Sequence, residues 1–191
     1  PSGGVFYPDY FGKDFVLNDL THDGGLTAIR IEGPTNSVDQ RVNRLSKELG
    51  LLDQELSILD SEQSNIFWNR TKNLEVFKSL KSNLLRIVLP MSETLQVIQK
   101  LKNFEIKYFI DWGGGLIWAS FDQLNTKILS EIKDTVKKHQ GYITLIKVEE
   151  DLKASADIFT IDPIKYKISE KIKRSFDPKR IFNPGKMYTG I

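Results

Sequence analysis

The order of apolar segments in the second half of the chain restricts the fold more than any other feature of the sequence. Residues 83–89 (NLLRIVL) read as a strand ended by Pro90, and Ser92 is predicted to cap the helix that follows. The apolar side of that helix consists of Leu95, Ile98 and Leu101. This stretch therefore predicts a strand followed by an amphipathic helix.

Two further strands and a long helix continue the pattern. Residues 106–112 and 116–121 are apolar, aromatic runs separated by Gly113-Gly114-Gly115, which predicts two strands joined by a tight hairpin turn. A phosphate-binding loop would need a helix directly after these glycines, whereas the sequence continues as a strand. The long helix ends at Gly141 before a strand over residues 142–148. Its apolar stripe is Leu124, Ile128, Ile132 and Val136.

The first half predicts a similar alternation. Residues 26–32 (LTAIRIE) read as a strand, and Ser37 with Gln40 forms a capping box for a helix that Gly50 stops. A strand is predicted over residues 51–59. Ser61 is then predicted to cap a helix carrying Ile66, Phe67, Trp68 and Phe77.

The order β-α-β-β-α-β from residue 84 onward is the split β-α-β arrangement of ferredoxin-like folds. The predicted class is α+β, with one largely antiparallel sheet, helices on one face, and a carboxy-terminal helix and tail. Residues 1–25 lack any period and are predicted to be a linker or loop, which leaves 26–191 as the folded domain. The start at Pro1, with no Met and no apolar leader, indicates a fragment of a longer protein.

Composition excludes several classes of function. The 191 residues contain no cysteine, which excludes disulfides, thiolate zinc sites and cysteine-ligated clusters. No apolar run approaches the roughly 20 residues of a membrane helix, so no membrane span is predicted. His22 and His139 lack metal-ligand spacing and are predicted to be solvated, so no metal site is expected.

The carboxy terminus has a strongly basic, amphipathic pattern. Asp162-Pro163 opens a helix whose apolar face is predicted to pack firmly: Ile164, Ile168, Ile172 and Phe176. Residues 165–186 contain eight Lys and Arg against two Asp and Glu. A basic patch of this kind suits a solvated helix face, nucleic acid, a membrane surface or an anionic cofactor.

The last residues predict a turn. Pro184 fixes φ near −65° and Gly185 supplies a positive φ, so a type II turn brings Asn183 and Lys186 close together.

The segment FDPKRIFNPGKM at residues 176–187 resembles the closing segment of FAD-linked oxidases of the vanillyl-alcohol oxidase type. Four other segments, in the same order, are similar to the FAD-binding subunits of glycolate oxidases. They are IRIEG at 29–33, FW at 67–68, LRIVLP at 85–90 and DWGG at 111–114. The resemblance covers residues 26–191.

This resemblance implies a carboxy-terminal cap domain that covers a flavin held by a missing amino-terminal FAD-binding domain. The implied partners are a catalytic flavoprotein subunit and an iron-sulfur subunit of a glycolate oxidase complex, cytoplasmic or peripheral at the inner membrane. The cap would aid electron transfer rather than oxidise a 2-hydroxy acid itself. Implied flavin contacts are Asn183, Gly185 and Lys186, and the implied pocket residues are Arg86, Asp111 and Trp112.

FAD is expected in the full-length protein only. The fragment offers no glycine-loop site for the pyrophosphate, so it should purify colourless and be inactive alone. The alternative is a free-standing ferredoxin-like module whose basic tail binds RNA or an acidic protein. Because no aromatic RNA-binding segment is present, nucleic acid is not the expected partner.

Overall fold

The computed structural model describes residues 1–11, 24–50, 56–80, 83–150, 152, 157–160, 162–185 and 188. The chain divides into two compact units. The first comprises Pro1–Lys81 and Phe109–Gly114, and the second comprises Ser82–Tyr108 and Gly115–Ile191. No helix in the described ranges has both the length and the apolar character needed to cross a bilayer.

The described residues form an α+β fold with one antiparallel sheet in the order β2-β1-β4-β5-β3-β6. The strands are β1 (Gly3–Tyr7), β2 (Leu26–Arg30), β3 (Asn83–Val88), β4 (Ile106–Asp111), β5 (Leu116–Phe121) and β6 (Tyr142–Lys147). The α-helices are α1 (Thr35–Glu48), α2 (Ser61–Lys72), α3 (Thr94–Leu101), α4 (Thr126–Lys138) and α5 (Pro163–Phe176). The order of β3 to β6 confirms the predicted ferredoxin-like arrangement.

The core of the first unit is aromatic. The ring centroid of Tyr7 lies 4.8 Å from that of Phe109 and 6.2 Å from that of Phe67. Phe77 stacks on Phe109 at 5.7 Å. The Tyr7 hydroxyl donates to Thr71 Oγ1 at 2.9 Å, and burial raises the pKa of Tyr7 well above its usual value. The buried polar end of the ring is therefore satisfied, as a core tyrosine requires.

Strand β1 was not predicted. The expectation of a loop over residues 1–25 is wrong at Gly3–Tyr7, which pair with β2 in the register Gly3↔Arg30 to Tyr7↔Leu26. Val5 and Tyr7 are buried, so this strand contributes to the core. Its two leading glycines concealed it, because glycine has a low strand propensity and the packing surface that favours a strand here is not visible in the sequence.

The second unit buries one face of its sheet under α3 and α4. Along β3, Leu85 and Ile87 are completely buried and alternate with the partly exposed Arg86 and Val88. The helices bury Val97, Ile98 and Leu101 from α3, and Leu129, Ile132 and Val136 from α4. Leu95, predicted on the apolar side of α3, is instead 69% exposed.

Residues 158–160 run along the outer edge of β6. The Leu145 N–H donates to the Ile158 carbonyl at 2.9 Å, and the Thr160 N–H donates to the Ile143 carbonyl at 3.0 Å. Thr144 and Phe159 form the antiparallel bridge between them. The middle of β6 is thus paired on both sides, with residues 158–160 on the outer side and β3 on the other.

Three predicted helix starts are wrong by one to three residues. Helix α1 begins at Thr35 after Pro34, without a side-chain cap, so Ser37 lies inside the first turn. Helix α2 has a capping box, but Asp60 and Gln63 form it rather than Ser61. Ser92 lies in a 3₁₀ turn, Met91–Glu93, that precedes α3 without capping it.

The predicted strand over 51–59 is also wrong where it can be compared. Residues 51–55 lie outside the described part of the chain, and residues 56–59 form neither strand nor helix. Phe77, predicted on the same helix as Phe67, lies in a separate 3₁₀ turn, Glu75–Phe77. Both phenylalanines are buried nonetheless.

Candidate functional site

Arg86 lies on the face of the second unit's sheet opposite α3 and α4. Its register partners are Trp118 on β5 and Thr144 on β6, so these three side chains share one face. A charged residue in the middle strand of a sheet is unusual unless that face is solvated or binds a ligand or partner. Arg86 therefore marks the part of this face most suited to binding.

An open cleft of about 490 Å³ includes Arg86 in its wall. Strand β6 forms one side and helix α5 the other, and none of the described lining residues is acidic. Volumes of this order hold small organic ligands or the side chains of a partner. The described lining residues are Arg86, Tyr142, Ile143, Thr144, Phe159, Thr160, Lys165, Ile168, Ser169 and Tyr188.

Two features of the cleft wall favour a polar or anionic occupant. The Thr160 hydroxyl oxygen is buried and has no hydrogen-bond partner among the described residues. Such a group normally pairs with a water or a ligand. Burial, followed by the charge of Asp157, raises the pKa of Tyr188. Its hydroxyl is a possible hydrogen-bond donor at neutral pH, as for any tyrosine. With Arg86 and Lys165, the wall offers positive charge and hydroxyl groups.

Asp177 holds the closing segment against the end of α5. Its carboxylate is 5% exposed and accepts backbone N–H bonds from Ile181 and Phe182, each at 2.9 Å. Lys173 Nζ lies 2.7 Å from Asp177 Oδ2 and also donates to the Phe182 carbonyl. These contacts give the F-D-P and I-F-N segments of the sequence a structural role, because they bend the chain back onto the helix.

The pKa of Asp177 is lowered from 3.8 to about 2, chiefly by the Lys173 hydrogen bond and then by the two backbone N–H groups. Because the folded-state pKa is depressed, the stabilisation is present above about pH 4 and is lost as the pH falls through about 2. We expect the amide signals of Ile181 and Phe182 to titrate with a midpoint near 2 in a two-dimensional NMR series. In Asp177→Asn this transition should vanish, and a wild-type midpoint near 4 would contradict the capping role.

The turn after this segment is exposed and has the predicted backbone at Gly185, whose φ is +69°. Asn183 also has a left-handed φ of +47°, which asparagine tolerates better than most residues. Both residues are exposed, and neither belongs to the described lining of the cleft. Lys186, the third predicted flavin contact, lies outside the described residues.

The apolar face of α5 is the largest departure from the sequence prediction. Its side chains were expected to pack firmly, but Ile164 is 72% exposed, Ile168 53%, Ile172 54% and Phe176 85%. In the closing segment, Ile181 and Phe182 are also more than half exposed. We call these six residues the α5 ridge. The periodicity was predicted correctly, but the described part of the chain does not bury it.

Asp111 and Trp112 belong to the first unit and lie together at the end of β4. The Trp112 N–H donates to Asp111 Oδ1 at 2.7 Å, and the Trp112 side chain is exposed. Trp112, Gly113 and Gly114 have φ values of +54°, +62° and +117°, so the turn is tight and leads into β5. This confirms that the glycine run precedes a strand and not a helix.

Replacing Gly114 with valine is expected to destabilise the fold by about 1 kcal/mol or more, because a β-branched residue is strained at positive φ. Its φ of +117° lies where L-residues are rare. The comparison variant is Gly3→Val, since Gly3 has no such φ, although a Cβ added there would lie 3.1 Å from the Trp68 ring. Equal melting temperatures for wild type and Gly114→Val would contradict the constraint on this turn.

His139 is buried, which corrects the expectation of a solvated side chain. Its Nδ1 lies 2.6 Å from Glu93 Oε2, and its Nε2 lies 2.8 Å from Lys100 Nζ. The network ties the carboxyl end of α4 to both ends of α3, a structural role. Across the described ranges, no group of three His, Asp or Glu side chains is placed to hold a metal ion. His22 lies outside those ranges.

No protein-family model matches this sequence, and no curated protein matches it with significance.

Proposed function

We propose that this chain is the carboxy-terminal cap domain of the FAD-binding subunit of a 2-hydroxy-acid oxidoreductase, of the glycolate oxidase kind. In this role it covers the flavin and aids electron transfer within a complex. The proposal rests first on the resemblance of residues 176–187 to the closing segment of FAD-linked oxidases. The observation that supports it most is the exposed turn at residues 183–185, which directly follows Ile181 and Phe182, the two residues that Asp177 holds.

The chain's own groups fit a contact with one edge of a flavin. The turn offers the Asn183 amide at an exposed position with a restricted backbone, which suits a preorganised hydrogen bond to a ring heteroatom. When bound, FAD would supply the electron-accepting ring. Its pyrophosphate needs backbone N–H groups at a glycine loop or helix amino terminus, and we assign these to a separate amino-terminal domain.

The other proposed parts of the system follow from the same resemblance. The cap would work beside a catalytic flavoprotein subunit and an iron-sulfur subunit, in the cytoplasm or peripherally at the inner membrane through the complex. Arg86 on the open sheet face, and Asp111 with Trp112 at the glycine turn, are the proposed pocket residues. An upstream reading frame of about 150–200 codons with a glycine-rich nucleotide-binding region would support this assignment.

Lys186→Ala in the full-length protein tests the flavin contact. Removing a charge-assisted contact to the reduced ring, worth roughly 1.5–3 kcal/mol, should weaken FAD retention or lower the reduction potential. In the 191-residue chain the same change should alter the free energy of unfolding by about 0.5 kcal/mol or less. Equal flavin content and equal potential in wild type and variant would contradict the contact.

One observation favours a different function, a free-standing module that binds RNA or an acidic protein. Lys165, Lys167, Lys171 and Arg174 are exposed on α5 and form a basic border to the α5 ridge. Binding through charge alone would fall steeply with salt. Salt-dependent binding of single-stranded RNA by a chain whose gene encodes no flavin domain would favour this module over the cap.

A further inference from the structure

His139 is the centre of a three-residue network that joins the carboxyl end of α4 to α3. Its side chain is 10% exposed and that of Glu93 is 30% exposed. The ring places Nδ1 2.6 Å from Glu93 Oε2 and Nε2 2.8 Å from Lys100 Nζ. A nearly buried imidazole thus contacts a carboxylate with one nitrogen and an ammonium with the other.

The contact with Lys100 determines where the ring proton lies. A lysine ammonium has three donors and no acceptor, so Nε2 of His139 must accept and carries no proton. The ring proton is then on Nδ1, which donates it to the Glu93 carboxylate. A second proton, on Nε2, would place two donors 2.8 Å apart. The observed contacts therefore require a neutral His139.

Among the described residues, Glu93 and Lys100 are the charged groups that contact this ring. Strand β3 approaches this end of α4 with the Val88 carbonyl and Leu89, near Gly141. Lys133 on α4 donates to the Asp157 carbonyl. The remaining charged side chains of α4 and of the turn after α3 are exposed, where water and salt screen them: Lys102, Lys127, Glu131, Asp134, Lys137 and Lys138.

Lys100 is the partner that can leave when His139 takes up a proton. It is exposed in the last turn of α3, and its long side chain can move the ammonium into water at little cost. Glu93 instead gains an ion pair with the imidazolium, and a nearly buried imidazolium needs such a partner. Proton uptake therefore breaks the contact with Lys100 and keeps the contact with Glu93.

We propose that Glu93, His139 and Lys100 form a proton-operated latch between α3 and α4. With a neutral His139 the latch is closed, and α4 is joined both to the residue before α3 and to the last turn of α3. A proton on Nε2 opens the second contact alone. The latch is independent of the proposed flavin contact, because none of its three residues belongs to the described lining of the cleft or to the turn at 183–185.

A pH series of the 191-residue chain by NMR tests the latch. At the high-pH end, proton–nitrogen correlations should show a protonated Nδ1 and a bare Nε2 in His139. As Nε2 gains its proton, the side-chain signals of Lys100 should move to those of a solvated lysine with the same midpoint. The amides of Leu85 and Ile87, completely buried in β3, should keep their signals.

Three results of this series would overturn the latch. The first is a set of Lys100 signals that stays constant while His139 titrates. The second is a proton on Nε2 rather than Nδ1 at the high-pH end. The third is a loss of the Leu85 and Ile87 signals with the same midpoint, because Lys100 would then be released by unfolding.

Substitutions on the two sides of the ring should move the His139 midpoint in opposite directions. Lys100→Met should raise it by about half a pH unit or more, about threefold in proton affinity, because the donor that occupies Nε2 is gone. Glu93→Gln should lower it, because the carboxylate that stabilises the imidazolium is gone.

Lys102→Met is the matched control. It removes the same charge from an exposed position two residues along the chain, and should move the midpoint by no more than about 0.2 pH unit because that charge is screened. Equal midpoints in wild type and Lys100→Met would overturn the latch. An equal shift in Lys100→Met and Lys102→Met would show a general effect of net charge and would also overturn it.

Discussion

Replacing Phe109 with alanine is expected to lower the free energy of unfolding by about 3–5 kcal/mol. Phe109 is completely buried, and its ring contacts Tyr7 at 4.8 Å and Phe77 at 5.7 Å between centroids. The truncation removes both aromatic contacts and leaves a cavity, because neighbouring rings cannot collapse into the space of a phenyl group.

Urea denaturation followed by tryptophan fluorescence measures this loss. Ile58→Ala in the same unit is the control, because Ile58 is 70% exposed and its truncation should cost about 0.5 kcal/mol or less. A loss for Phe109→Ala no larger than that of the control would show that the aromatic cluster does not stabilise this unit.

Replacing Gly141 with alanine is expected to cost about 1–3 kcal/mol through overpacking. A Cβ added at Gly141 would lie 2.7 Å from Val136 Cγ1, 2.8 Å from the Val88 carbonyl oxygen and 3.0 Å from Leu89 Cβ. Backbone and short side chains surround the site, so the end of α4 would have to move away from β3 to accommodate one methyl group.

Gly50→Ala is the control that separates the cost of overpacking from the cost of an unfavourable backbone conformation. Gly50 has a left-handed φ of +64° with no atom within 4 Å of an added Cβ, so its substitution should cost only the roughly 1–2 kcal/mol of that conformation. Replacing Val136 with alanine in the Gly141→Ala background should recover part of the loss if the clash is its cause. No recovery in the double variant, measured by thermal unfolding, would contradict the steric explanation.

Gly141 also shows how a correct prediction can have a different cause. The sequence predicted that it ends α4, but the left-handed residue after that helix is Gln140, with a φ of +58°. Gly141 is required by the close approach of Val88 and Leu89 on the neighbouring strand. Sequence periodicity locates the end of a helix, whereas the reason for a glycine there depends on an element more than 50 residues away.

The ferredoxin-like part of the fold was predictable because its segments obey simple periods. Helix α4 repeats an apolar residue every three or four positions and ends in two lysines, and β3 and β6 are runs of β-branched and aliphatic residues. Asp162 before Pro163 fixed the start of α5, and its carboxylate accepts the Ile164 and Lys165 N–H groups. Local chemistry decides these features.

Features set by distant residues were not predictable. Asp60 rather than Ser61 caps α2. Either side chain could accept the hydrogen bond of a helix cap, so the sequence alone does not identify which residue is the cap. The histidine near the end of α4 looked solvated until Glu93 and Lys100 were brought against it. Likewise, the amphipathic pattern of α5 predicts an apolar face. It does not identify the residues that would cover that face.

The cleft illustrates the same limit for the candidate site. Only Arg86 was identified in advance, from its place in a segment similar to a known family. Tyr142, Phe159 and Tyr188 come from three separate segments, and each alone resembles an ordinary core or surface aromatic. The signal that could have marked Arg86 without any resemblance is a cation in the middle of an otherwise aliphatic strand.

The segment at residues 158–160 protects the second unit against unwanted assembly. An exposed edge strand can pair with a strand of another molecule, which leads to domain swapping and fibril growth. Here the main-chain groups of Ile143 and Leu145 that would template such growth are already engaged by Thr160 and Ile158. Replacing Thr160 with proline removes the N–H that donates to the Ile143 carbonyl. This variant should therefore be more prone to aggregate at concentrations where the wild type stays dispersed.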